Sequence, residues 1–329
     1  MKPEHLEKSI FSIQSDSDFQ SCALDVFRYQ ATHNPVYREY LSHLRIRPDS
    51  VTGIREIPFL PVELFKTREV LTGEFPAEII FSSSGTTGMS QSKHPVRKVS
   101  LYTESFLRGF RHFYGEPEDY CILALLPSYQ EREGSSLIYM VDELIRQSRH
   151  PQSGYFLYDL QALQSTMQTL AAGGQKILLI GVTYALLDFA EQFPFPMNNT
   201  ILMETGGMKG RRKEILREEL HEILGRAFRL QEIHSEYGMT ELLSQAYSKG
   251  DGLFETPPWM KVLIREVNDP FSYTAKGQTG GINIIDLANL YSCSFIATQD
   301  LGRYEAEERF RVLGRFDHSD IRGCNLLVQ

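Results

Sequence analysis

The sequence predicts an α/β fold that passes into a smaller β-rich subdomain near its end. Three observations carry that expectation. The first third reads as helix, short aliphatic runs alternate with amphipathic stretches from Glu78 onward, and after about Pro257 the pattern becomes alternating strands punctuated by glycine.

Taken in order, the apolar positions of Phe19 to Tyr29 recur at helical spacing. Asn34 followed by Pro35 starts a second helix, since Asn caps free N–H groups and Pro loses nothing at the first helical position. Strands are expected at Ile79 to Phe81, Cys121 to Leu126, Lys176 to Gly181 and Thr200 to Met203. Helices are expected at Ser136 to Gln147, Leu160 to Ala171, Tyr184 to Phe193 and Arg211 to Arg226. Such alternation belongs to parallel βαβ units, because a parallel partner strand needs a long crossover. The closing strands are expected at Met260 to Val267, Gly281 to Leu287, Ser294 to Gln299 and Phe310 to Leu313. With no repeat, low-complexity segment or long linker, residues 1–316 are expected to form one core. Its parts are a helical start (1–75), an α/β region (76–256) and the β-rich subdomain (257–316), with 317–329 as a tail.

The 329 residues are 42% hydrophobic and 23% charged, which is ordinary for a globular chain with a sizeable core. A net charge of -8, with only a short basic cluster at Lys209 to Lys213, argues against a nucleic-acid partner. Met1 to Ile10 is charged throughout and lacks a signal core, and the longest uncharged apolar stretch, Ile177 to Leu187, falls short of the ~18 residues a membrane span requires. The expectation is a cytoplasmic protein without a membrane span. Cys22, Cys121, Cys293 and Cys324 lie far apart without paired metal spacing and read as reduced thiols, the first three within apolar or strand patterns that suit a core.

One segment points to chemistry. Phe81-Ser82-Ser83-Ser84-Gly85-Thr86-Thr87-Gly88 follows an apolar strand and gathers small hydroxyl and glycine residues, which let backbone N–H groups approach a phosphate closely. Lys93 adds a positive charge nearby. A Ser/Gly surface turn has the same composition, but the preceding strand and the following lysine favour phosphate. It is not a Walker loop, because no Gly-Lys-Ser/Thr follows at the required spacing.

Ser83 to Gly88 resembles the phosphate loop of the adenylate-forming superfamily of acyl-CoA synthetases, luciferases and adenylation domains. Met89, Ser90, Gln91 and Ser92 separate Gly88 from Lys93 where the superfamily pattern has two residues. Further elements follow in the superfamily's order. They are Thr205-Gly206-Gly207, Glu236-Tyr237-Gly238-Met239-Thr240-Glu241, Thr298-Gln299-Asp300-Leu301-Gly302 and Gly314-Arg315-Phe316-Asp317. The resemblance implies ATP and Mg²⁺ as cofactors. Ser82 to Gly88 and Lys93 would bind phosphates, and Gly206 and Gly207 would lie against the purine. Tyr237, between Glu236 and Gly238, would stack on adenine, Thr240 would bond the α-phosphate and Glu241 would hold Mg²⁺. Asp300 would accept from the ribose hydroxyls and Arg315 would reach ribose or phosphate. The implied fold is the large N-terminal domain of that superfamily, layered α/β sheets with a small C-terminal β subdomain. Its mobile C-terminal domain is absent, since the sequence stops at Gln329.

Ile57 to Lys66, the phosphate loop and Arg322-Gly323-Cys324 narrow the resemblance to the acyl-protein synthetase subunit of bacterial luminescence fatty-acid reductases, a relative of phenylacetate-CoA ligases. The implied activity is ATP-dependent activation of a carboxylic acid, a fatty acid in that family, as acyl-AMP with pyrophosphate release. Transfer of the acyl group to Cys324 as a thioester follows, for delivery to a reductase subunit. Three alternatives stay open. Cys324 is a small apolar residue packed with Leu326, Leu327 and Val328, the chain is a short acyl-CoA ligase, or it is a nucleotide-binding protein without ligase activity. His94 and His234 flank motifs without an identifiable triad partner.

Overall fold

A computed structural model of the chain describes residues 3–83, 91–128, 131–207, 212–213, 215–306 and 308–316. In chain order its regular elements are α1 (Pro3–Ile10), α2 (Asp16–His33), α3 (Pro35–His43), β1 (Leu60–Pro61), α4 (Leu64–Thr67), β2 (Ile79–Ser82), β3 (Lys93–Val96) and α5 (Val99–Tyr114). There follow β4 (Tyr120–Leu125), α6 (Ser136–Ser148), β5 (Gly154–Tyr155), α7 (Leu160–Ala172), β6 (Lys176–Gly181), α8 (Thr183–Gln192), β7 (Thr200–Glu204), α9 (Arg217–Phe228), β8 (His234–Tyr237), β9 (Ala246–Ser248) and β10 (Phe254–Glu255). The last strands are β11 (Met260–Arg265), β12 (Gly280–Asp286), β13 (Phe295–Ala306) and β14 (Arg309–Arg315). The chain forms two compact units, one of 78–93 and 98–257, the other of 1–77, 94–97 and 258–329.

The first of these is the α/β unit. Its strands run in the order β10-β9-β8-β7-β6-β4-β5. β5, β4, β6, β7 and β8 are parallel, and β9 and β10 reverse direction in turn. Every residue of β4 is buried, and β6 is buried after Lys176. Parallel strands covered on both faces need continuous aliphatic runs, which is why Cys121–Leu126 and Lys176–Gly181 were legible as strands. β6 has the expected bounds, and β4 and β7 are offset from theirs by one residue at most. Gly181 ends β6 where a Cβ would fall 2.8 Å from Leu125 Cβ, so the strand ends approach closely only because no side chain intervenes.

Helix α9 starts at Arg217 rather than at Arg211 as its pattern suggested. Leu216 is extended, and the Arg212 guanidinium is held by Asp188 (Nε to Oδ1, 3.0 Å) and by Glu191 (2.6 and 2.8 Å) on α8. Helix α5 was not anticipated, because its aromatic and β-branched residues have weak helical propensity; burial of Tyr102, Phe106, Phe110 and Phe113 overrides it.

In the second unit β11, β12, β13 and β14 form an antiparallel meander, with β1 parallel to β13. Strand β13 runs well past the expected Gln299, so the whole Thr298 to Gly302 motif lies inside a strand. As expected, Asn34 caps α3: its Oδ1 accepts the Tyr37 N–H at 3.0 Å, and its Nδ2 donates to Thr72 Oγ1 (3.1 Å) and Ser292 O (2.9 Å). Gln30 is fully buried on α2. Its Nε2 lies 3.0 Å from Asn289 O, 2.9 Å from Leu290 O and 3.1 Å from Ser294 Oγ, and its Oε1 accepts the Ser294 N–H at 2.9 Å.

Replacing Gln30 by Leu strands these buried groups without partners. The expected outcome is a folded protein less stable by about 3 kcal/mol in urea unfolding, with the m-value unchanged.

Candidate active site

In a parallel sheet all strands end at one edge, and the loops that leave it collect there. Three of the expected motifs meet that edge in the α/β unit. Thr205-Gly206-Gly207 leaves β7, and Gly238 to Glu241 leaves the neighbouring β8. Ser82 at the end of β2 donates its N–H to Gly134 O (2.8 Å), in the loop that leaves β4. Ser83 and Ser92 clasp each other: the Ser83 N–H donates to Ser92 O at 3.1 Å, and the Ser92 N–H to Ser83 Oγ at 2.9 Å. Between them lie Ser84, Gly85, Thr86, Thr87 and Gly88, which fall outside the described residues, as does Cys324. Lys93 is exposed at the start of β3.

The glycine turn is held at several points. The Thr205 N–H donates to Gly181 O (3.1 Å) and the Thr183 N–H to Gly206 O (3.3 Å). Gly206 and Gly207 have φ of +73° and +92°, a region open to glycine without strain. Their backbone N–H supply is partly spent, since the Gly206 N–H donates to Glu204 Oε2 at 2.7 Å.

Glu204, the last residue of β7, is 2% exposed. Burial raises its carboxyl, but hydrogen bonds from His221 and Ser235, the Arg217 charge and the Gly206 N–H outweigh this and hold it down to about 2. Arg217 Nε lies 3.0 Å from Glu204 Oε1 and His221 Nε2 lies 3.8 Å from it. These three residues were not singled out in the sequence. The readable signal was Arg217 and His221 four apart on an amphipathic helix, hence on one face, and an acid ending a buried strand.

On β8 the carboxyl group of Glu236 behaves in the opposite way. Burial and then the Glu204 carboxylate push it up to about 8, so it carries its proton at neutral pH. It curls over Gly238, where a Cβ would stand 2.5 Å from Glu236 Oε1. Tyr237 is buried, its ring edge-on to Phe254 with centroids 5.9 Å apart. Glu241 is buried, Thr240 is partly exposed, and Ser244 Oγ is anchored to Ser105 Oγ of α5 at 3.0 Å. Burial pulls His234 down to about 4, with Lys249 and His221 adding to the effect, and its Nδ1 lies 3.3 Å from Tyr114 Oη. The imidazole is therefore neutral at neutral pH and packs on Tyr114.

In the second unit Asp300 and Arg315 face each other across β13 and β14. Asp300 is 7% exposed, with Arg315 Nε 3.3 Å from its Oδ1, and its N–H donates to Thr298 Oγ1 at 3.1 Å. His94 is also buried here, with Nε2 3.0 Å from Asn289 Oδ1 and its ring edge-on to Phe65, a structural role. Cys22, Cys121 and Cys293 are buried free thiols, raised by burial, as core cysteines are. Among the described residues no three His, Cys, Asp or Glu side chains cluster to hold a metal, and no helix is long and apolar enough to cross a membrane.

Solved structures share this architecture. One is 2-hydroxyisobutyryl-CoA ligase in complex with 2-HIB-AMP and CoA in an open conformation (TM-score 0.64, 14% identity, 93% of this chain and 77% of that one). Another is ATP-bound MatB from Rhodopseudomonas palustris (TM-score 0.54, 14% identity, 72% of this chain and 47% of that one). The fold is therefore that of the adenylate-forming superfamily. Within it, the chain belongs to the acyl-protein synthetase family, LuxE, whose profile matches residues 10–329. It is also 39% identical over 67 residues to the long-chain-fatty-acid-luciferin-component ligase of Photorhabdus luminescens, a match covering 20% of this chain and 57% of that relative's length.

The state of Glu236 gives a pH signature. An acid held near pKa 8 in the fold, against an ordinary 4.5, keeps a proton that the unfolded chain has lost, so stability falls as pH rises between those values. Glu204 and His234 titrate below about 6.5 in both states. Between pH 6.5 and 8 the melting temperature of the wild type should therefore fall more steeply than that of Glu236→Gln. Parallel melting curves would show that Glu236 is ionised in the fold.

Proposed function

We propose that the protein activates a carboxylic acid as an acyl-adenylate at the carboxyl edge of the α/β sheet and then takes the acyl group onto Cys324. The observation that carries this reading is the meeting of Ser82 and Ser83, the Gly206-Gly207 turn and the Tyr237 to Glu241 turn at one sheet edge. The family, and the ATP and 2-HIB-AMP bound by the structural neighbours, support it.

In this reading ATP lies with its phosphates on the loop from Ser82 to Gly88 and Lys93. Its purine lies against Gly206 and Gly207, with Tyr237 beside them and Glu236 and Gly238 shaping the turn. Asp300 accepts from the ribose hydroxyls, and Arg315 steadies ribose or phosphate. The substrate carboxylate attacks the α-phosphorus and pyrophosphate leaves. The chain's part is to position the reactants and to stabilise charge on the α-phosphate, with Thr240 as a donor. Glu241 is a single carboxylate rather than a closed cage, which suits Mg²⁺ held jointly with nucleotide phosphates. Bound there, the cation would neutralise phosphate charge.

The second step needs a nucleophile. A thiolate at Cys324 attacks the acyl carbonyl of the mixed anhydride, AMP leaves, and a thioester forms. A long-chain fatty acid is the substrate this reading favours, given the relative from Photorhabdus luminescens, with a reductase subunit as acceptor and a cytoplasmic setting.

Intact-protein mass spectrometry after incubation with ATP, Mg²⁺ and a fatty-acid series tests both steps. The wild type should gain one acyl mass that hydroxylamine removes, and Cys324→Ala should gain none while still exchanging pyrophosphate into ATP. Acyl transfer to coenzyme A by Cys324→Ala would instead mark a CoA ligase. Separately, Asp300→Asn should raise the KM for ATP by about tenfold or more in that exchange, the cost of weakening a charge-assisted hydrogen bond to ribose. An unchanged KM would remove Asp300 from the nucleotide site.

A further inference from the structure

We infer that Glu204 is the positioning residue of the nucleotide site, fixing the Gly206-Gly207 turn and coupling it to Tyr237 through Arg217 and Phe254. The inference rests on the nucleotide-binding reading and names the residue that makes its purine side rigid.

A carboxylate withdrawn from water costs several kcal/mol unless its oxygens are paired. At the end of β7 a neutral residue would close the strand equally well, yet Glu204 is 2% exposed and both its oxygens are occupied. Oε2 accepts the Gly206 N–H at 2.7 Å, and Oε1 faces Arg217 Nε at 3.0 Å and His221 Nε2 at 3.8 Å. The carbonyl of the same residue, in the next peptide unit, accepts the Thr183 N–H at 3.3 Å. A two-residue turn of left-handed glycines, otherwise the most mobile kind of backbone, is thereby held on both sides. What remains open is Gly207, which is exposed.

Arg217 carries the connection onward. Its guanidinium carbon lies 5.0 Å from the centre of the Phe254 ring while its Nε bonds Glu204, and Phe254 meets Tyr237 edge-on. A planar guanidinium can pair with a carboxylate at its edge and stack on a ring with its face, which Lys cannot do. The two motif segments expected to contact the adenine are thus joined by one continuous set of contacts through Glu204.

The test is Glu204→Gln, which keeps the shape but removes the charge and one acceptor. Because the turn holds the nucleotide equally before and during reaction, the loss should fall on KM rather than kcat. In acid-dependent pyrophosphate exchange the KM for ATP should rise about tenfold, with kcat within about twofold and the KM for pyrophosphate unchanged. Calorimetric titration with a non-hydrolysable ATP analogue should weaken by the same factor. A Glu204 that merely braces the fold would lower the melting temperature and the active fraction but leave the KM for ATP as it was, and that result overturns the inference.

Should Glu204→Gln fail to fold, Arg217→Lys keeps the charge near Glu204 while losing the stacked face. It should weaken analogue binding at least threefold, and unaltered binding overturns the inference equally. If the wild type binds the analogue yet exchanges pyrophosphate with no acid, acid activation fails while the affinity ratio still decides the role of Glu204. If the wild type binds no nucleotide, both fail together.

Discussion

The parallel ladder of β4, β6, β7 and β8 is the constraint on which the site depends. Because Tyr120–Leu125 pairs with Lys176–Gly181, and Ile177–Gly181 with Thr200–Glu204, all residue for residue, the strands finish level with one another. Segments far apart in sequence then leave the sheet side by side. A slip of one residue would displace the glycine turn from the Tyr237 segment and turn each side chain of the slipped strand to the opposite face of the sheet. The ladder is secured by apolar burial on both faces, so the accuracy of the site is supplied by residues that take no part in its chemistry.

Polar groups inside the two units mostly follow a second rule, that a buried donor or acceptor is kept with a partner, with Tyr247 Oη and Asn283 Nδ2 as exceptions. Glu204 and Glu236 illustrate how far the same side chain diverges under it. Glu204 meets an arginine, a histidine and a backbone N–H and stays ionised, whereas Glu236, one strand away and beside that charge, keeps its proton. Gln30, Asn34 and His94 obey the rule in the second unit, each spending its side chain on the 289–294 segment. Function and stability draw on the same device, and only the location at the sheet edge separates them.

Strands such as Lys176–Gly181 were legible because two-sided burial writes a continuous aliphatic run, and the start of α3 was legible because Asn34 and Pro35 are local signals. The aromatic helix α5, the short strands β8 and β9, and the true start of α9 were not, since each depends on partners remote in sequence. Arg212, expected within that helix, instead pairs with Asp188 and Glu191 on the neighbouring helix. The strand expected to end at Gln299 stopped one residue short of Asp300, whose place inside β13 follows from pairing with β14.

The sequence by itself determined the α/β class, the family and the order of the motifs, because these lie in local runs of residue types: small and hydroxyl residues after a strand, Tyr-Gly-Met-Thr-Glu, and aliphatic blocks alternating with amphipathic ones. Tertiary structure alone decided which charges meet. The partners of Glu204 come from a helix thirteen and seventeen positions onward, and the proton on Glu236 depends on a carboxylate 32 positions earlier. Such pairings are settled by distance and desolvation in the packed molecule, neither of which leaves a periodic mark along the chain.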